Sequence, residues 1–151
     1  MAPDFAQHNR IEMSTEEIDR LLREEGVGVL SLADDGIAYG IPLSFGYDAE
    51  RERLYFVFLR PGESSKKTEF AERTARASFA IWNAPSRDEW ESVVVDGELR
   101  RVDDGDWDRV HDVLADNAWY PTLFSETEPM QDILGWELRI ASRSGLQRRR
   151  A

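Results

Sequence analysis

Leu54-Tyr55-Phe56-Val57-Phe58-Leu59 constrains the fold more than any other stretch of this chain. An unbroken run of aromatic and aliphatic side chains leaves a strand no polar face to offer to water, so both faces must be covered. Pro61-Gly62 then stops the strand. Ser64 and Ser65 are placed to cap a short helix reaching about Glu72, with Glu69 in position to close a capping box. The first turn of that helix carries Lys66 and Lys67, the only lysines of the chain.

A helix N-terminus carries partial positive charge and unpaired N–H groups, so its first turn normally favours acids. Two lysines oppose that field unless an anion meets them. With two hydroxyls and free amides beside them they make a phosphate-sized site. The same residues also fit a solvated basic turn that answers Glu63 and Glu69.

The 151 residues, 41% of them hydrophobic, are enough for one globular domain with a core. A net charge of −11, from 30 acids against 19 bases, argues against a general binder of nucleic acid or anionic membranes. Heavy use of Asp and Glu with so little Lys fits halophilic adaptation, in which an acidic surface keeps a protein hydrated in a salty cytoplasm. A GC-rich genome would favour Arg over Lys as well. Cysteine is absent, which excludes disulfides and thiolate chemistry. No apolar run approaches the roughly 20 residues of a membrane helix, and no signal-peptide pattern opens the chain. The expected localisation is cytoplasmic.

In chain order, residues 1–13 read as a flexible lead-in. Ser14-x-x-Glu17 is a capping box, and Ile18, Leu21 and Leu22 fall at helical spacing up to about Glu25. Val27 to Ala33 and Ile37 to Tyr47 read as strands around an Asp34-Asp35-Gly36 turn. Pro42 in the second strand marks an edge or a bulge. After a turn over Asp48 to Glu52 come the organising strand and helix. A strand over Arg76 to Trp82, a polar loop over Asn83 to Glu89, and a long strand over Ser92 to Val102 with a bulge at Asp96-Gly97 follow. Asp103 and Asp104 are placed to cap a helix with Trp107, Val110 and Leu114 on one face. Gly135 to Ala141 reads as the closing strand. The expected division is a barrel domain over 14–143 and a mobile tail over 144–151. About six strands and two or three helices predict a small, closed or half-closed antiparallel barrel.

Neither His8 nor His111 neighbours a nucleophile or a second ligand at metal spacing, so zinc and triad chemistry are not expected. The carboxylates are scattered, and no dinucleotide fingerprint or P-loop is present. Of the five tryptophans, Trp82, Trp107 and Trp136 fit core positions. Trp90 and Trp119 lie in or beside loops, where a ring can cover a planar ligand or a subunit interface.

The pieces GVLSLADDG, YGIPLSFGYD, LYFVF followed by SSKK, and SVVVDG resemble, in order and spacing, the FMN-binding split-barrel proteins related to pyridoxamine 5′-phosphate oxidase. Within them the chain is similar to the small nitroimidazole-resistance-type branch, from about Thr15 to Ile140. The resemblance implies a mainly β fold, a six-stranded antiparallel split barrel that forms a homodimer with FMN in grooves at the subunit interface. By that resemblance Ser64, Ser65, Lys66 and Lys67 would hold the FMN phosphate. Ile41, Pro42, Leu43 and Ser44 would lie along the isoalloxazine and ribityl chain, partly through backbone groups. Leu59 and Arg60 would stand beside the ribityl-phosphate and Ser92 near the flavin, with Trp90 and Trp119 as candidates to cover the ring from the neighbouring subunit. After WELRI the chain lacks the longer segment with substrate-binding Arg and His of the oxidases, so vitamin B6 oxidation is not implied. The expected function is an FMN-dependent oxidoreductase of unknown substrate, with no catalytic side chain assigned. A non-catalytic flavin, haem or deazaflavin carrier, or a barrel serving only in assembly, are the alternatives.

Overall fold

The computed structural model describes residues 10–59, 66–117 and 133–149. In chain order its elements are β1 (Arg10–Glu12), α1 (Thr15–Glu24), β2 (Val27–Asp34), β3 (Ile37–Ser44), β4 (Gly46–Asp48), β5 (Arg53–Leu59), α2 (Lys66–Arg73), β6 (Arg76–Ser86), β7 (Glu89–Arg101), a 3₁₀ turn (Asp104–Asp106), α3 (Trp107–Asn117) and β8 (Ile133–Arg148). The strands form one antiparallel sheet in the order β3-β2-β6-β7-β8-β5-β4, with β1 added beside β8.

The two ends of that order, β3 and β4, follow each other directly in sequence. Phe45 separates them, buried and with its N–H donating to the Gly26 carbonyl at 3.1 Å. The sheet therefore curls until its edges meet through the chain itself. β3 and β5 approach each other at this seam but share no ladder, and that gap is the split in the barrel. The expected six strands become eight among the described residues, because Phe45 divides the 37–47 strand in two and β1 adds a short piece.

β5 is covered on both faces, as its composition requires. Leu54, Phe56 and Phe58 point into the main core, while Tyr55 points the other way, into a second cluster with Val110 and Leu114 of α3. α1 contributes Ile18, Leu21 and Leu22 to the main core, and its capping box is formed: Glu17 N–H donates to Ser14 Oγ at 3.2 Å and Ser14 N–H to Glu17 Oε1 at 3.0 Å. The turn between β2 and β3 uses positive φ at Asp35 (50°) and Gly36 (76°), as a tight hairpin of right-handed twist requires.

Four sequence readings are corrected. Asn83 to Glu89 is not a loop: β6 continues to Ser86, β7 starts at Glu89, and the register shift between Asn83 and Ser86 accommodates Pro85 within the ladder. Asp103 gives no side-chain cap; its carbonyl accepts from Asp106 N–H at 2.9 Å, and the intervening 3₁₀ turn separates it from the first turn of α3. The closing strand runs on to Arg148 rather than ending near Ala141, so residues 144–148 belong to the sheet. Acids from distant elements hold this end: Gln147 donates to Glu17 at 2.8 Å, Arg148 pairs with Asp88 at 3.2 Å and Arg149 pairs with Glu17. At the other end, Arg10 to Glu12 pair with β8 instead of forming part of a loose lead-in.

Candidate functional site

α2 is fixed by its far end. Thr74, just past it, donates from Oγ1 to the Phe70 carbonyl at 2.6 Å and accepts Ala33 N–H at 3.2 Å, which ties the helix to the end of β2. Ala71 is buried, and Phe70 packs on the main core. The first turn of α2 is thereby held at the seam between β3 and β5.

Both lysines of that turn lie over aromatic rings. Lys66 Nζ lies 4.7 Å from the ring centroid of Tyr39 on β3 and 5.9 Å from that of Phe70. Lys67 Nζ lies 5.3 Å from the ring centroid of Phe58 on β5. One ammonium thus stands on each side of the split, and among the described residues neither forms an ion pair with a carboxylate. Two positive charges held on aromatic faces, beside a sheet edge, are suited to an anion.

Of the β3 residues, Ile41 and Leu43 lean inward against the core, so only their backbone faces the free edge. Pro42 and Ser44 point to the outer face, opposite Val29 and Val27 of β2. Pro42 lies on an edge strand, as its missing donor requires: among the described residues β3 pairs with β2 alone. Ser44 Oγ donates to the Gly26 carbonyl at 3.0 Å. Leu59 is the last residue of β5. Arg60, Ser64, Ser65 and Trp119 lie outside the described residues.

Ser92 and Trp90 are on β7 and do not come to the lysines within one chain. Ser92 stands opposite Trp82 and Leu146, three strands along from β3, which at the usual strand spacing is about 14 Å. It does share the outer face with Pro42 and Ser44. That face of β3-β2-β6-β7 is largely apolar and uncovered. Trp82 is 55% exposed and Val94 44%, with Val27, Val29, Ala80 and Leu146 around them. The sequence reading of Trp82 as core is therefore corrected. The alternation of buried Phe79 and Ile81 with Ala80 and Trp82 was the available signal. Trp136 is buried at 3%, as expected, and Trp90 is half-buried at the start of β7, beside the β6–β7 turn. Tyr39 and Phe58 were not foreseen as partners of the lysines, since nothing local connects them; Phe70, four residues after Lys66 on α2, was the one ring whose spacing gave a signal.

Among the described residues no group of His, Asp and Glu could hold a metal ion, and no helix is long and apolar enough to cross a membrane.

The family model for pyridoxamine 5′-phosphate oxidase matches residues 14–147. The chain belongs to that family. Solved structures of the same fold include an FAD-binding protein from Mesorhizobium loti, at 24% identity and TM-score 0.74, with 93% of this chain and 99% of that one covered. A 5-nitroimidazole antibiotic resistance protein from Bacteroides thetaiotaomicron superposes with TM-score 0.72 at 16% identity, covering 92% of this chain and 87% of its own. An FAD and haem binding protein from Mycobacterium smegmatis gives TM-score 0.71 at 19% identity over 95% and 75% of the two chains. No curated protein matches the chain in sequence. The family match reaches Gln147, in keeping with a strand that continues past Ala141.

Proposed function

We propose that this member of the pyridoxamine 5′-phosphate oxidase family is an FMN-binding oxidoreductase that works as a homodimer. The observation that carries the reading is the lysine pair of α2, set on aromatic faces on both sides of the barrel split. The phosphate would be met by Lys66 and Lys67, with the hydroxyls of Ser64 and Ser65 beside them. The backbone of Ile41 to Leu43 on the free edge of β3 suits the ring and ribityl chain. By the family resemblance Leu59 and Arg60 would stand beside the phosphate. Bound flavin would supply hydride or electron transfer. The chain's own part is to hold the anionic end, orient the ring along an edge strand and shield one side of it from water.

The uncovered outer face supports the dimer. Its central tryptophan and valines lie on the same surface as Pro42, Ser44 and Ser92, so a second copy seated there would bring Ser92 and Trp90 of the partner towards the flavin groove. An isologous contact of this kind is the common route to a closed pair.

Fluorescence titration with FMN tests the reading. Replacing Lys66 and Lys67 together by Ala removes two charge-assisted contacts worth about 1.5–3 kcal/mol each on the general scale. Affinity should fall at least about a hundredfold relative to wild type, whereas changing the exposed Arg23 and Arg87 to Ala should leave it within about twofold. Equal affinities in the two double variants would contradict the phosphate assignment. Parallel titration with FAD separates the two nucleotides, and a Soret band in the purified protein would favour the haem-carrier alternative.

A further inference from the structure

Lys66 sits in a chain with 30 acidic residues, yet among the described residues its ammonium rests on rings rather than on a carboxylate. The two outcomes differ chemically. A carboxylate would neutralise the charge and take up the N–H donors. A ring face restrains the ammonium through its quadrupole while leaving the full charge and the donors directed elsewhere. The rings themselves are anchored. Tyr39 and Phe70 stand 5.1 Å apart at 48°, and both pack against the main core from different elements, β3 and α2. Phe70 lies one helical turn after Lys66, on the same side of α2. An exposed lysine otherwise spreads over many rotamers, and ordering it on an anion costs conformational entropy.

We infer that Tyr39, with Phe70, is a positioning residue that pre-sets the Lys66 ammonium for an anionic ligand end and so sets the preference for a phosphorylated flavin over its phosphate-free form. This rests on the function proposed above. It makes a prediction that packing alone does not: removing the rings weakens binding of the phosphate-bearing ligand and spares the ligand without phosphate.

Titrations of FMN and riboflavin, run side by side on wild type, Lys66→Ala, Tyr39→Phe, Tyr39→Leu and Phe70→Leu, read this as a ratio. Tyr39→Leu should lower the FMN-to-riboflavin affinity ratio about two- to fivefold, with riboflavin affinity unchanged. Tyr39→Phe, which keeps the ring, should hold the wild-type ratio. In the Lys66→Ala background the ring change should have no further effect on it. Phe70→Leu provides the same reading should Tyr39→Leu not fold. Equal losses for both ligands, or a ratio lost as fully in the Lys66→Ala background, would overturn the positioning role. A Lys66→Ala effect that survives while the ring variants keep the wild-type ratio fells this inference only. A wild type that does not prefer FMN, or a Lys66→Ala variant with unchanged ratio, fells the phosphate site itself.

Discussion

Asp48 is the residue on which the outer helix depends. It is 4% exposed, yet it takes two bonds from Arg109 of α3, Nε at 2.6 Å and Nη2 at 2.9 Å, one from Tyr55 Oη at 3.1 Å and one from Arg51 N–H at 3.0 Å. Burial alone would raise its pKa, but the bonds from Arg109, Arg51 and Tyr55 prevail and hold it at about 2. Its folded pKa lies below the unfolded value, so its contribution to stability is complete above about pH 5 and is lost as pH falls through the folded pKa. Urea midpoints should therefore drop between about pH 4 and pH 2 in wild type, and by less in an Asp48→Asn variant. Arg109→Ala should cost about 1.5–3 kcal/mol by urea denaturation at pH 7, leaving Asp48 with its two remaining donors. This pair was invisible in the sequence. The Asp48 to Glu52 turn was legible from its residue types, but a partner on another element leaves no local trace. The lysine pair was legible, because two lysines opposing a helix dipole conflict with their own surroundings. Tyr39 and Phe58, which lie on other elements, were not, for the same reason as Arg109.

At the scale of elements, strands whose side chains alternate or fill both faces announced themselves, and ends fixed by distant contacts did not. β5 is the clear case of the first. β8 is the case of the second: past Ala141 it is polar, and its ladders to β7 and β1, with the acids of α1 and the β6–β7 hairpin, keep it extended. The bulge at Asp96-Gly97 was legible as a glycine inside a strand, and the structure supplies its cause. A Cβ on Gly97 would stand 1.8 Å from the Arg139 carbonyl oxygen, a backbone atom that cannot step aside. Gly97→Ala should therefore destabilise the protein by at least about 1–3 kcal/mol in thermal or urea unfolding. Gly105→Ala, where nothing lies within 4 Å, should stay within about 0.5 kcal/mol. Similar losses at both positions would contradict the close approach of β7 and β8.

Across the whole molecule, closure through Phe45 leaves a seam, and an outer sheet face with Trp82 and Val94 remains bare. A chain of net charge −11 repels its own copies, so a lasting pair must bury that apolar face. Trp82→Glu should convert the proposed homodimer to a monomer in sedimentation equilibrium, whereas Ile37→Glu at the β2–β3 hairpin tip, exposed but away from the face, should leave it dimeric. A wild type that is monomeric at every accessible concentration would remove the dimer from the account. The central claim, that the lysines at the seam meet the phosphate of a flavin, is most directly tested by the small molecule that denaturation releases from the purified protein, after the apoprotein has been offered equimolar FMN and riboflavin. The account predicts a yellow supernatant whose flavin is FMN by mass. Riboflavin in equal amount, or a protein that takes up neither, would contradict it.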